Sequence, residues 1–204
     1  MSDLYPIVLA SASPRRRRMF RDLGLPFEVI PADIEESMEP GESPETFVRR
    51  TASEKGAAVA ELLRAEGRNP WIVAADTVVV LGQDVLCKPI DSDDARRMLT
   101  MLSGQTHRVM TGWTIGRAEG SRSVEHTVTE VAFHRLTAEQ IVNYVATGEG
   151  MDKAGAYAIQ HPGFHPVAEL EGCYANVMGL PLCHLTRHLR AWGFSPPYDL
   201  SLIH

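Results

Sequence analysis

An aspartate and a threonine, Asp76 and Thr77, interrupt an apolar run that extends from Trp71 to Leu81. Such a run of valine, alanine and isoleucine is typical of a buried strand, where an ionised carboxylate is costly unless a metal, a cation or hydrogen-bond donors compensate its charge. Asp76 is therefore a candidate for a residue of a functional site. The alternative is that Asp76 caps a turn between two short strands, as an isolated aspartate often does.

A junction between a predicted strand and a predicted helix lies near the N-terminus. Residues 7–10 are apolar, Ser13 suits a helix N-cap, and Pro14 suits the first helical position. Free backbone N–H groups and the helix dipole attract phosphate at such a junction, and Arg15 adds a guanidinium that can bind it. Capping of the helix and a solvated helix face are the competing explanations of these residues.

Four consecutive arginines occupy positions 15 to 18. Because consecutive residues of a helix point to different faces, they cannot all enter one pocket, and Arg17 and Arg18 are the better candidates for the surface. Binding of nucleic acid through this run is disfavoured, since aromatic residues do not interleave with it and the formal net charge of the chain is -6. We therefore expect no nucleic-acid partner.

A second helix is predicted to open at Ser43 and Pro44. Lys55 falls within its apolar stripe at the same spacing of three to four residues. That stripe comprises Val48, Ala52, Val59 and Leu62. Lys55 either snorkels over apolar surface or is directed into a cleft.

The predicted pocket contains the carboxylates of Glu36 and Asp76 and the cations of Arg15, Lys55 and Lys88. Lys88 returns toward Asp76 after a predicted Gly-Gln-Asp hairpin turn. Carboxylates hold Mg²⁺, whereas lysine and arginine neutralise phosphate charge, so the inventory suits a polyphosphate with a divalent metal. The chain has no GxxxxGK[ST] and no GxGxxG sequence, which disfavours ordinary P-loop and dinucleotide-binding sites.

The composition is that of an ordinary globular chain, with 204 residues of which 44% are hydrophobic and 23% charged. Strands alternate with helices and form antiparallel hairpins, which predicts an α/β fold with a mixed sheet. No linker or repeat divides the chain, so residues 1–204 are expected to form a single domain. The start of the sequence lacks a signal-peptide pattern, and no apolar stretch approaches the length of a membrane span. The three cysteines form no CxxC motif and suit a reducing compartment. We therefore expect a cytoplasmic protein.

Six sequence blocks carry a more specific signal. They are Leu-Ala-Ser-Ala-Ser-Pro-Arg-Arg at 9–16, Ala-Asp-Thr-Val-Val at 75–79, Lys-Pro at 88–89, Leu-Ser-Gly-Gln-Thr-His at 102–107, Asp-Lys-Ala-Gly-Ala-Tyr-Ala-Ile-Gln at 152–160 and Glu-Gly-Cys-Tyr-Ala-Asn-Val-Met-Gly-Leu-Pro-Leu at 171–182. In this order, across nearly the whole chain, they resemble the Maf family. The resemblance implies an α/β fold like that of the inosine triphosphate pyrophosphatases (Maf/Ham1), with a mixed sheet flanked by helices and two lobes around a central cleft.

The resemblance also implies a reaction, because Maf proteins are nucleoside triphosphate pyrophosphatases. They hydrolyse the bond between the α- and β-phosphates and release a monophosphate and pyrophosphate, with Mg²⁺ or else Mn²⁺ or Co²⁺. Asp76 matches the family's catalytic aspartate, which orients or deprotonates the attacking water directly or through the metal. By the same matching, Glu36 rather than Glu35 joins Asp76 as a metal ligand. The phosphate chain would be bound by Ser13, Arg15, Lys55 and Lys88.

Substrate choice is expected to depend on Arg15, Thr77 and Gln160, which match the family's specificity positions. The Ile-Gln pair that ends at Gln160 resembles the branch acting on dTTP and UTP, and a glutamine amide can both donate to and accept from the O4 and N3–H edge of thymine or uracil. A 7-methyl-GTP pyrophosphatase and a nucleotide-sensing regulator of septum formation without turnover are the alternatives. The family usually has glycine where this chain has His161, and the following proline favours an extended backbone there, so the shape of the base pocket stays open. A homodimer is compatible with the resemblance.

Overall fold

The computed structural model describes residues 7–194 and gives them a mixed sheet flanked by helices. Residues 1–6, whose sequence enters the expectation of a cytoplasmic protein, lie outside that range. The strands are β1 (Ile7–Leu9), β2 (Phe27–Val29), β3 (Trp71–Leu81), β4 (Asp84–Leu86), β5 (Thr106–Arg117), β6 (Arg122–Phe133) and β7 (Val167–Glu171). The helices are α1 (Pro14–Asp22), α2 (Pro44–Ala65), α3 (Ser92–Leu102), α4 (Ala138–Ala146), α5 (Tyr174–Val177) and α6 (Leu182–Ala191).

The sheet has the strand order β2-β1-β3-β5-β6-β7, with β4 paired to β3. Strand β1 runs parallel to β2 and β3, because α1 and α2 provide the crossover connections, whereas β3, β5, β6 and β7 are successively antiparallel. The α/β fold with a mixed sheet that the sequence predicts is confirmed.

Side chains of β3 alternate between the two faces of the sheet. Ile72 packs in a cluster with Val59 of α2, while its neighbour Val73 packs with residues of α1 and α6. Asp76 continues the first set and Thr77 the second. The alternation therefore directs the aspartate toward α2 and the threonine toward α1.

Helix α2 lies against β5 at Gly112, the residue directly opposite Asp76 in the antiparallel register. A Cβ atom on Gly112 would lie 2.0 Å from the backbone oxygen of Val48, so only glycine permits this approach. The apolar stripe of α2 is confirmed except at one end, because Leu62 is 49% exposed and Leu63 is fully buried instead.

His107 of β5 is a buried histidine that is expected to make stability depend on pH. Its Nε2 atom lies 2.9 Å from the Tyr157 hydroxyl, and Nδ1 finds no hydrogen-bond partner among the described residues. Burial lowers the pKa of His107 to about 4, whereas an unfolded chain has a histidine pKa of about 6.5. The unfolded state therefore binds the proton more readily, and stability is lost as the pH falls from about 6.5 toward about 4.

Between pH 7 and pH 5, we expect the unfolding free energy of His107→Gln to fall by about 2 kcal/mol less than that of the wild-type protein. Denaturant unfolding at both pH values measures this difference. The matched control is His134→Gln, since His134 is an exposed histidine. An unchanged pH dependence in His107→Gln would contradict the assignment to His107.

Candidate active site

Asp76 lies in the middle of an unbroken strand of 11 residues. The alternative that it caps a turn between two short strands is therefore wrong. Its side chain is buried, with a relative exposure of 6% for the residue, and Oδ1 accepts a hydrogen bond of 2.7 Å from the Lys55 ammonium. A cation thus compensates the carboxylate inside the sheet, as its burial requires.

Lys55 joins two carboxylates. Its Nζ atom lies 2.7 Å from Asp76 Oδ1 and 3.0 Å from Glu36 Oε1. The residue is buried on the face of α2 that Gly112 brings against the sheet. The structure therefore places Lys55 in a cleft, and the snorkelling alternative is wrong.

Glu36 reaches this group from the polar segment before α2. Its Oε2 atom lies 3.5 Å from Nζ of Lys88, whose side chain is 61% exposed at the edge of the cleft. Burial opposes the ionisation of Glu36, but Lys55 and Lys88 outweigh it and hold the pKa of Glu36 below its ordinary value. The neighbouring Glu35 does not line the cleft and accepts a hydrogen bond from the Ser37 hydroxyl instead, so Glu36 is the one that faces the cleft.

Thr77 faces the opposite side of β3 and contacts an arginine that sequence reasoning passed over. Arg16 donates from Nη2 to the Thr77 hydroxyl at 2.9 Å and from Nε to the backbone oxygen of Gly179 at 2.6 Å. A longer contact of 3.5 Å joins Nη1 to the Ser11 hydroxyl. Burial lowers the pKa of Arg16, and the charge of Asp76 acts in the opposite direction. The Thr77 hydroxyl also lies 2.9 Å from that of Thr111, which orders it further.

Arg16 was detectable from the spacing of α1. It precedes Met19 by three residues and Phe20 by four, so it shares their buried face. Arg15, the arginine that the sequence interpretation favoured, is less buried and donates from Nη1 to Asp152 Oδ2 at 3.0 Å. Both arginines line the cleft, whereas Arg17 and Arg18 are exposed as expected.

Ser13 and Gln160 both line the cleft, on different segments. The Ser13 hydroxyl caps α1, accepting from the backbone N–H of Arg16 at 3.5 Å. The predicted capping is therefore present, together with the predicted position beside the cations. Gln160 is exposed and follows a 3₁₀ turn at Ala154–Ala156. Its side chain is therefore accessible to a ligand at the rim.

The cleft has a volume of about 270 Å³. Its walls come from segments 10–16, 152–154, 157–160 and 177–179 and from side chains of α2 and β3. All eight residues that the sequence singled out line it, namely Ser13, Arg15, Glu36, Lys55, Asp76, Thr77, Lys88 and, at the rim, Gln160. The cleft therefore contains two groups of paired charges, one in which Lys55 and Lys88 contact Glu36 and Asp76, and one in which Arg15 and Lys153 contact Asp152.

The two carboxylates of the cleft are the kind of ligand that a divalent cation prefers. Glu36 and Asp76 both approach one ammonium nitrogen within 3.0 Å, so a small cation in this region could reach two carboxylates. Magnesium typically takes one or two carboxylates and completes its shell with water and phosphate oxygens. In residues 7–194 no group of three or more His, Cys, Asp or Glu side chains is arranged to hold a metal without such help. None of the helices described here is long and apolar enough to cross a membrane.

Comparisons with known proteins extend over almost the same residues. The family model for Maf-like protein matches residues 6–192. A protein of Citrifermentans bemidjiense named dTTP/UTP pyrophosphatase is 48% identical over 188 residues, covering 92% of this chain and 95% of that protein. A protein of Anaeromyxobacter dehalogenans strain 2CP-1 with the same name is 48% identical over 196 residues, covering 95% of this chain and 97% of that protein. A solved nucleoside-triphosphatase / dITP/XTP pyrophosphatase from Mycobacterium abscessus aligns with a TM-score of 0.43 and 18% identity, covering 91% of this chain and 96% of that chain. Because the family model and the relatives match nearly the whole chain, the resemblance is confirmed and this protein belongs to the Maf family.

Proposed function

We propose that this protein is a pyrophosphatase that hydrolyses dTTP and UTP to the nucleoside monophosphate and pyrophosphate. The observation that carries the proposal is a buried carboxylate, Asp76, held beside Lys55 and Glu36 in a cleft whose other charged groups are mainly cations. The names of relatives that are 48% identical over 92% to 95% of the chain supply the substrate class. The proposed roles of Glu36 in metal binding, of Arg15 in phosphate binding and of Gln160 in base recognition follow from the match of these positions to the family's motifs.

Asp76 is the general base in this proposal. Its carboxylate accepts a proton from a water molecule as the water oxygen attacks the α-phosphorus, and the bond to the bridging oxygen of the β-phosphate breaks. Lys55 holds the carboxylate in one orientation, because its ammonium donates to Oδ1. Asp76 lies on the side of β3 that faces α2, and there it can accept the proton of the water. Thr77 lies on the other side of β3, where its hydroxyl accepts a hydrogen bond from Arg16.

The cations bind the phosphate chain and neutralise the charge that develops on the leaving pyrophosphate. Arg16 is held in one orientation by two hydrogen bonds, with Gly179 and Thr77 as acceptors. Lys88 is exposed at the edge of the cleft and can bind the β- and γ-phosphates. When bound, a divalent cation such as Mg²⁺, held by Glu36 and Asp76, would supply further neutralisation of the polyphosphate; Mn²⁺ or Co²⁺ suits the same oxygen ligands.

Gln160 is proposed to read the pyrimidine edge. We expect Gln160→Glu to lower kcat/KM for dTTP and UTP at least about 10-fold relative to a purine nucleoside triphosphate, because a carboxylate cannot donate to O4. Pyrophosphate release from a panel of nucleoside triphosphates with Mg²⁺ measures this, and the wild-type protein is expected to prefer dTTP and UTP on the same panel.

The control for this change is Gln83→Glu, at an exposed glutamine in the turn between β3 and β4. It introduces the same charge away from the cleft and should leave selectivity unchanged. An equal loss for all nucleotides in Gln160→Glu would count against base recognition by this residue, and a wild-type preference for 7-methyl-GTP would count against the proposed substrate.

A further inference from the structure

Two cysteines outside the cleft lie close enough to react with each other. Cys173 and Cys183 are free thiols, and their sulfur atoms are 2.8 Å apart, compared with about 2.05 Å in a disulfide bond. Neither is used by the proposed hydrolysis. From this juxtaposition we propose that Cys173 and Cys183 form an oxidation site, at which a hydroperoxide converts the two thiols into a reversible disulfide.

The backbone holds both sulfur atoms in place. The N–H of Cys173 donates to the Thr129 hydroxyl at 3.1 Å, and that hydroxyl lies 3.2 Å from the Cys173 carbonyl oxygen, which ties Cys173 to β6. Cys183 is the second residue of α6, whose Leu185 and Leu189 are fully buried. Bond formation therefore requires only a small movement of two anchored residues.

An oxidant can reach the pair from solvent. A second, shallower pocket is lined by both cysteines and by His184, and Cys183 is the less buried of the two thiols. His184 Nδ1 lies 3.9 Å from the Cys183 sulfur. His184 thus lies beside the Cys183 thiol, and burial lowers the pKa of its imidazole. Cys183 is thus the residue that meets the oxidant first.

The reaction balances in two steps. The Cys183 thiolate attacks one oxygen of the hydroperoxide, the O–O bond breaks, and the alcohol or water leaves with the proton, giving a sulfenic acid. The sulfur of Cys173 then attacks the Cys183 sulfur, the S–O bond breaks, and water leaves with the Cys173 proton. Two thiols are oxidised and one peroxide is reduced.

The cross-link would restrain one wall of the cleft. It closes a ring around residues 174–182, and this segment contains Gly179, whose backbone oxygen accepts from Arg16 Nε. A covalent tie at both ends of the segment opposes its local opening. Oxidation therefore stabilises the segment whose Gly179 oxygen accepts from Arg16, and it leaves the cationic side chains of the cleft unchanged.

The test oxidises the fully reduced protein with a small excess of hydrogen peroxide. We expect a peptide that links Cys173 to Cys183 in non-reducing mass spectrometry, a fall in titratable thiols from three to one, and reversal by a dithiol reductant. The midpoint of thermal unfolding should rise by about 5 °C or more on oxidation. Amide hydrogen exchange in residues 174–182 should slow at least about 10-fold.

Three variants make the outcome decisive. Cys87→Ser removes the remaining thiol and should leave the cross-link and both shifts intact, whereas Cys173→Ser and Cys183→Ser should abolish them. Oxidation to sulfinic acid without a linked peptide, or dimers joined through Cys87, would overturn the proposal. A linked peptide without slower exchange in 174–182 would overturn its effect on the cleft wall. These readouts do not involve turnover, so they stand or fall separately from the proposed hydrolase activity.

Discussion

Asp76→Asn is expected to leave the protein folded and to slow pyrophosphate release from dTTP and UTP at least about 100-fold, as loss of a general base does. Asparagine has nearly the same size, and its Oδ1 can still accept from Lys55, which donates to Asp76 at 2.7 Å. The change therefore removes the charge and the basicity while it preserves the packing in β3. Initial rates with saturating Mg²⁺, together with denaturant unfolding of both proteins, measure the two parts of this expectation.

The control for Asp76→Asn is Asp84→Asn, at an exposed aspartate where β4 begins. It changes the net charge by the same amount and should retain wild-type rates. Near wild-type release by Asp76→Asn would contradict the role of Asp76 as the base. A wild-type protein that binds dTTP but releases no pyrophosphate would favour the regulator without turnover instead.

Arg16→Lys is expected to lower kcat/KM at least about 100-fold although the positive charge is retained, because a lysine ammonium cannot reproduce the planar fork of a guanidinium. Arg16 donates to Gly179 and Thr77 at once, and both acceptors lie in the walls of the cleft. Lysine has a single nitrogen at the end of a flexible chain. The phosphate chain would then meet a cation that is no longer held in one orientation.

Two comparisons separate this effect from simple loss of charge or of folding. Arg18→Lys, at an exposed position of the same helix, should leave the rate unchanged. Arg15→Lys should cost less than Arg16→Lys, because Arg15 is more exposed and pairs with Asp152 at the rim. Unfolding curves show whether the Arg16 variant remains folded at the assay temperature. Equal losses in the Arg15 and Arg16 variants would contradict the greater importance of Arg16.

The parts of the fold that were predictable from the sequence have local causes. Ser13 and Ser43 each accept from a backbone N–H in the first turn of a helix, and each is followed by proline, as their sequence signals indicate. Strand β7 had no such signal. It has five residues, lies at the edge of the sheet and pairs with β6 across a long connection, so its formation depends on a partner that the local sequence does not specify.

The residues of the candidate site also differ in how far the sequence identifies them. Asp76 and Lys55 were identifiable because a charged group in an apolar pattern requires compensation, and the structure joins them across 21 residues of sequence. Arg16 was passed over because its acceptors, Thr77 and Gly179, lie 61 and 163 residues away. Periodicity can place Arg16 on a buried face, but only the tertiary fold brings carbonyl and hydroxyl oxygens to meet it.

The alternation of Asp76 and Thr77 on β3 makes the chemistry depend on strand length. An insertion or a deletion of one residue near the start of β3 would shift the strand by one position. Asp76 would then face Arg16, and Thr77 would face Lys55. The long antiparallel register with β5, in which Asp76 lies opposite Gly112, opposes such slippage. The apolar side chains of β3 can therefore be replaced only by others that fit the same packing, and the number of residues before Asp76 is fixed as well.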